Sequence, residues 1–249
     1  MSELPSILVT DGWETDQNNK LVEIVIPSSV KTLQAPNKVV FMGAALNAIP
    51  STVAALQSFE APNLASLSST QNNLFKNYTA LQSVSLGATA IVYTGDYTGP
   101  FYGCTSLTSA SFPNLVTISP TATGGGGLFY NCTALETVSM PKLTTISDSG
   151  GDGENGVFYH CVSLTTIELP LIQNIYIIRG SGTGTFNGCT SLSSVTLGST
   201  GHPVNSIHTK TFKNCTQSGL TITIYTTNGT SLSGSPWGAT NATIVYETA

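Results

Sequence analysis

Five cysteines, three histidines and one acidic loop hold most of the side chains in this sequence that could do chemistry. Cys104, Cys132, Cys161, Cys189 and Cys215 each end a Phe-x-x-Cys element, as in FYGCTSL from Phe101 to Leu107. A zinc-type site needs thiolates that converge on one point, commonly from Cys-x-x-Cys pairs, and these cysteines instead recur once per frame. If successive frames stack at about 4.8 Å, neighbouring cysteines fall within the Cα range of a disulfide. Side chains in register point the same way, however, which does not favour the short Cβ separation of a bridge. The copy FKNYTAL (Phe75 to Leu81) places Tyr78 in the same slot. The cysteines therefore read as packing, largely buried, reduced and free of metal, since free Cys behaves as a small hydrophobe. A disulfide or a metal is the alternative.

The remaining candidates are weaker. His160, His202 and His208 form no nucleophile–base pairing that spacing supports. Cys161 follows His160, and neighbours along a strand point to opposite faces. The loop SDSGGDGENG (Ser147 to Gly156) offers Asp148, Asp152 and Glu154 as oxygen ligands for calcium. It lacks the spacing of an EF-hand, so a solvated acidic turn is the plainer reading. Gly124 to Gly127 is followed by no Gly-Lys-Ser/Thr and reads as a turn. Asn77, Asn131, Asn214, Asn228 and Asn241 each begin an Asn-x-Thr triplet, the pattern of a glycosylation acceptor. Three of these fall inside the repeated frame, which already accounts for them.

The elements that position these residues come from self-similarity. FYGCTSLTSASFP, FYNCTALETVSMP and FYHCVSLTTIELP share Phe-Tyr-x-Cys-x-x-Leu and a closing Pro. FNGCTSLSSVTLG and FKNYTALQSVSLG share the frame, and FKNCTQSGLTITI fits with one residue inserted before its strand. LVEIVIPSSVKTL and LQSFEAPNLASL add two earlier units, which makes about eight coils. The Phe positions 75, 101, 129, 158, 186 and 212 recur about every 26 to 29 residues, and periods of this length mark a solenoid. In TVSM and TIEL apolar residues alternate, the signature of a short half-buried strand. Stacked coils pair such strands in parallel, and the Pro that often follows, lacking an N–H, ends the pairing. Gly-rich insertions of variable length belong in exposed turns. The fold expected is mainly β, with few or no long helices. It is one right-handed solenoid domain over residues 1–249, with 1–20 and 225–249 as end caps around repeats 21–224.

Composition excludes several function classes. Of 249 residues only 8% are charged and the net charge is −5. Eight Lys and Arg cannot neutralise a phosphate backbone, so no nucleic-acid partner is expected, nor an anionic membrane surface. No apolar run reaches the roughly 20 residues of a membrane span, and no signal peptide is visible at the start. No cofactor is expected.

Two surface columns remain. With the alternating Val and Leu inward, Ser83, Ser85, Ser109, Ser111, Thr137, Ser139, Thr166, Glu168, Ser194 and Thr196 point outward as a flat sheet of hydroxyls. This face either is merely solvated or contacts a protein or glycan. Ordering of water by Thr ladders fits poorly with the mixed Ser and Glu168. Tyr102, Tyr130 and Tyr159 follow the Phe in three successive coils. They form either an exposed aromatic stripe, suited to an interface, or a stack that shields the core.

The Phe-x-x-Cys-x-x-Leu element and the Leu-x-x-φ-x-φ-Pro run resemble the BspA-like class of bacterial leucine-rich repeats. The resemblance covers about Leu21 to Ile224 and departs from the pattern in the Gly-rich insertions and in FMGAALNAIPSTVAAL. It implies a curved solenoid with a parallel sheet on its concave side and no shared catalytic residues. It also implies a non-enzymatic adhesion module, cell-surface or secreted, that binds a host or microbial surface protein or glycan. A structural spacer within a larger surface protein is the alternative, and an enzyme would need a pocket with convergent polar groups.

Overall fold

A computed structural model describes residues 7–9, 32–34, 40–42, 57–61, 66–69, 75–93, 99–120, 127–148, 156–177 and 184–249. Strand β1 (Ile7–Val9) comes first, followed by the pairs β2 (Thr32–Gln34) and β3 (Val40–Met42), and β4 (Ser58–Ala61) and β5 (Ser66–Ser69). Next come β6 (Ser83–Leu86) and β7 (Ala90–Tyr93), then β8 (Ser109–Ser111) and β9 (Thr117–Pro120). The pairs β10 (Thr137–Ser139) and β11 (Thr145–Asp148), and β12 (Thr166–Leu169) and β13 (Asn174–Ile177), repeat the plan. The series closes with β14 (Ser194–Leu197), β15 (Ser206–Ile207), β16 (Thr221–Thr226) and β17 (Thr243–Thr248). Among the described residues there is no α-helix, only a 3-10 turn at Thr227–Gly229.

Each coil contributes its first strand to one side and its second to another. The first strands form a six-stranded sheet, β1-β2-β4-β6-β8-β10, and a four-stranded sheet, β12-β14-β16-β17. The second strands form one seven-stranded sheet from β3 to β15. All ladders are parallel, and the repeat frame fixes their register: Ser83 pairs Ser109, Val84 pairs Ala110 and Ser85 pairs Ser111. This is the mainly β solenoid expected from the repeats, with about eight coils as an approximate count. From Phe75 to Phe212 it makes five well-defined turns.

The core is built of columns of like residues. Phe75, Phe101, Phe129, Phe158, Phe186 and Phe212 are fully buried. Successive rings lie 5.1 to 5.5 Å apart and within 17° of parallel. Leu81, Leu107, Leu135, Leu164, Leu192 and Leu220 form a second buried column. Ile91, Ile118, Ile146, Ile175 and Ile207 line the inner side of the second-strand sheet. The last ring, Phe212, meets buried Trp237 edge-on at 6.5 Å.

The Phe-x-x-Cys element is a turn rather than strand, and its geometry explains residue types that the frame alone does not. The residue before each Cys, or before Tyr78, has positive φ: Asn77, Gly103, Asn131, His160, Gly188 and Asn214, between 58° and 77°. From Asn77 to Gly188 its N–H is donated to the next coil, as from Asn131 to the Tyr159 carbonyl at 2.8 Å. Asn and Gly tolerate this left-handed conformation where most L-residues resist it. All five asparagines of the Asn-x-Thr triplets have positive φ, so backbone geometry accounts for every one of them. The same turn separates exposed His160 from buried Cys161, so they do not form a pair.

A second constraint lies two residues before the Phe. A Cβ on Gly127 would fall onto the carbonyl oxygen of Gly156, and one on Gly156 onto that of Gly184. Gly99 and Gly184 meet the next coil in the same way. These glycines end the variable insertions because the coils pass too closely there for a side chain.

The left-handed slot makes a testable difference. Asn131→Gly should shift urea stability by less than about 0.5 kcal/mol, whereas Asn131→Val should cost about 1–3 kcal/mol through strain at positive φ. Equal urea midpoints for the two variants would contradict the account.

Candidate functional site

The thiol column is structural in its geometry. All five cysteines are buried and none is joined to another. Each Sγ donates to the carbonyl oxygen of the preceding coil's Phe. Cys104 reaches Phe75 at 3.0 Å, Cys132 reaches Phe101 and Cys215 reaches Phe186 at 3.1 Å, and Cys161 and Cys189 reach Phe129 and Phe158 at 3.2 Å. The same oxygen already accepts one backbone N–H from its own turn, as Phe101 does from Cys104 at 3.2 Å, so the next coil's thiol, small enough to pack and a weak donor, takes its second lone pair. Tyr78 takes the rung in the first of these coils, its ring edge-on to Phe75 at 5.6 Å.

Burial sets the acidity of these thiols. Desolvation pushes Cys104 and Cys215 up to about 12, and Cys132, Cys161 and Cys189 are also raised. Neighbouring thiolates would repel one another along the column, adding to the shift of Cys132, Cys161 and Cys189. Thiolate is the reactive form, so these positions are poor nucleophiles.

The outward residues of the first strands make the second candidate. Ser83, Ser85, Ser109 and Ser111 are half-buried, Thr137, Ser139, Thr166, Glu168 and Ser194 are exposed, and Thr196 is half-buried. The face is not flat over its first section. Ser83, Ser85, Ser109, Ser111, Thr137 and Ser139, with Glu60, line a shallow trough of about 290 Å³ floored by Val84, Ala110 and Val138. Small side chains create it. Ala110 stands in register with Val84 and Val138, and the rows above the floor are almost all serine. Ser83 Oγ donates to Ser58 Oγ at 2.9 Å. Beyond β10 the first-strand ladder is interrupted, and Thr166 and Glu168 stand on the second sheet. Glu60, at the end of the trough, lay outside the outward pairs expected from sequence. The clue was available in LQSFEAP, whose Glu occupies the Ser slot of the other copies.

Tyr102, Tyr130 and Tyr159 form a stack. Their rings lie 4.6 and 4.7 Å apart and within 13° of parallel, and each tyrosine is half-buried. Lys76 covers the ring of Tyr102 from 5.4 Å, a cation–π contact at the head of the stack. Both faces of Tyr130 are therefore occupied by its neighbours, and the column presents ring edges rather than faces.

The histidines do not converge. His160 Nδ1 lies 3.0 Å from Asn131 Oδ1, and His202 lies by Ser199 at 3.4 Å. His208 is held below its ordinary range by burial and by Lys210. Among the described residues no group of three His, Cys, Asp or Glu could hold a metal. Asp152 and Glu154 lie outside the described residues.

With this geometry in view, the comparisons with known proteins are specific. The model of the BspA type leucine rich repeat region matches residues 51–150 and 152–233 in six copies. The chain belongs to the BspA-type leucine-rich-repeat family. Neither a curated protein nor a solved structure matches it. Such a solenoid suggests a protein-interaction module, and its family is typically a non-catalytic scaffold, commonly surface-associated. No helix among the described residues is long and apolar enough to cross a membrane.

The raised thiols give a pH dependence. Unfolded cysteines titrate near 9 and Cys104 and Cys215 near 12 in the fold, so the native state holds these protons more tightly. The contribution is complete below pH 9 and is lost as pH rises toward 12. Urea midpoints should fall steadily between pH 8.5 and 11. At pH 8 the native thiolate fraction at Cys104 and Cys215 should be orders of magnitude below that of the unfolded chain, and all five thiols are buried, so a thiol reagent should label five cysteines in urea and essentially none without it. Rapid native labelling would overturn the buried column.

Proposed function

We propose that this solenoid is a non-enzymatic binding module, secreted or displayed on a bacterial cell surface, that contacts a surface protein through its first-strand face. The observation that carries this reading is the serine-lined trough over β4, β6, β8 and β10. It is a concave surface preformed by paired backbone, so little ordering entropy opposes a partner. Exposed Thr137, Ser139, Thr166 and Glu168 extend the contact surface toward β12. A protein fits better than a glycan, because the trough has no aromatic platform and the faces of Tyr130 are covered. We further propose that residues 1–20 and 225–249 close the ends of the stack, as terminal coils of solenoids require. The structural spacer is the competing reading.

Arrays of extracellular proteins and glycans distinguish the two. Ser109→Gln with Ser111→Gln fills the trough without adding charge and should weaken any specific protein contact at least tenfold. Changing Tyr102, Tyr130 and Tyr159 to Ser should lower the melting temperature more than it changes binding. If the trough variant binds as the native chain does, or if the native chain binds nothing, the spacer reading replaces this one.

A further inference from the structure

Among the described residues the glutamates and lysines are sorted by face, while Asp148 ends β11 on the second-strand sheet. Among the described residues the glutamates are Glu60, Glu136, Glu168 and Glu247, and the lysines are Lys76, Lys142, Lys210 and Lys213. Glu60 stands outward on β4, in register with Ser85 of β6. Glu136 precedes β10, and Glu168 stands outward on β12 in register with Thr196. Glu247 stands on β17 opposite Tyr225. Glu60, Glu168 and Glu247 therefore belong to the first-strand face, and Glu136 sits at its edge. None of the lysines stands on its strands. Lys213 lies in a Phe-x-x-Cys turn and Lys76 in the matching Phe-x-x-Tyr turn, and Lys210 lies in the turn before Phe212. Lys142 follows Pro141 at the coil corner, its Nζ held by Asn114 Oδ1 at 2.9 Å.

The placement is pointed at the trough. In the repeat frame one outward slot reads Glu60, Ser85, Ser111, Ser139, Glu168 along successive first strands. Three serines are bracketed by two carboxylates, with Glu136 beside them. At about 4.8 Å per strand the bracketing glutamates are roughly 19 Å apart, too far to share a metal ion. An extended chain of about six residues covers that distance. Glu60 is the charged residue in the trough lining, Glu136 and Glu168 flank it along the chain, and carboxylates about a concave surface concentrate their field on whatever enters.

We propose that the trough receives a cationic partner: an extended protein segment whose lysines or arginines alternate with small residues and whose ends meet Glu60 and Glu168. The proposal rests on reading the first-strand face as a binding surface and adds the chemistry of what binds. Small side chains over the serine rows let the segment lie close to the sheet, and its cations reach the carboxylates at either end and at Glu136.

Fluorescence anisotropy with the full chain tests this, using three labelled twelve-residue peptides that alternate Ser with Lys, Gln or Glu. In about 50 mM salt the Lys peptide should bind at least tenfold more tightly than the Gln peptide, with the Glu peptide weakest. The advantage should vanish near 0.5 M salt, where screening acts within a few ångströms. Glu136→Gln with Glu168→Gln should weaken the Lys peptide about tenfold, and Ser109→Gln with Ser111→Gln should weaken it further. Lys76→Gln with Lys213→Gln, on the turn face, should leave it unchanged. Circular dichroism melts confirm that each variant folds. Equal binding of Lys and Gln peptides, both blocked by the trough variant, refutes the cationic partner and leaves the face as a binding surface. Lys-peptide binding unmoved by either the glutamate or the trough variant places the cation elsewhere and refutes both. No binding of any peptide refutes the cationic partner, and the protein array then decides the face on its own.

Discussion

The carbonyl oxygen of each column phenylalanine from Phe75 to Phe186 is where one coil is fastened to the next. It accepts the thiol of the following coil's cysteine, while the N–H of the same Phe is donated onward, as from Phe129 to Val157 at 2.8 Å. The two bonds fix the rise between coils at the turn, and the paired strands fix it on the opposite side. Phe rings at 5.1 to 5.5 Å are compatible with both spacings. Other residue choices then follow. The close pass removes every side chain at Gly127 and Gly156, and the turn that presents the Cys requires positive φ at Asn131 and His160.

This dependence determines which surface positions are free to vary. Tyr130 is held between two rings, and Asn131 is held by its backbone. The outward slots of the first strands carry no such duty, since their side chains neither pack in the core nor satisfy the turn. A slot that alternates among Ser, Thr and Glu without disturbing the ladder is one that selection by a partner can act on. Exposure alone does not give that freedom. The tyrosines are partly exposed, yet their spacing is dictated by the coil rise.

Much of the fold was legible because a repeated frame overdetermines it. Six copies of Phe and five of Cys gave the columns, and the alternation in TVSM and TIEL gave the inward and outward sides. The Tyr78 substitution was enough to read Cys104 as filler. The trough was not legible, because its depth comes from the smallness of Ala110 in register with Val84 and Val138, and register between coils is a tertiary fact. The glycine column was hidden for the opposite reason. Gly127 and Gly156 end runs already rich in Gly and looked like parts of loose turns. Only the neighbouring coil shows that they are sites of close approach.

A repeat protein gains recognition where it breaks its own pattern. The second outward slot is serine in β6, β8 and β10, and a surface of serine alone would satisfy solvent and say little to a partner. Glu60 and Glu168 break the series at its two ends. Each break costs the ladder almost nothing, because an outward side chain on a paired strand can keep its charge in water. Each adds a charge at a position fixed by its own ladder, Glu60 in the six-stranded sheet and Glu168 in the four-stranded one. The distance between the two carboxylates is then set by the number of coils between them rather than by any flexible loop. In this architecture, coil number is a ruler, and an off-pattern residue is a mark on it.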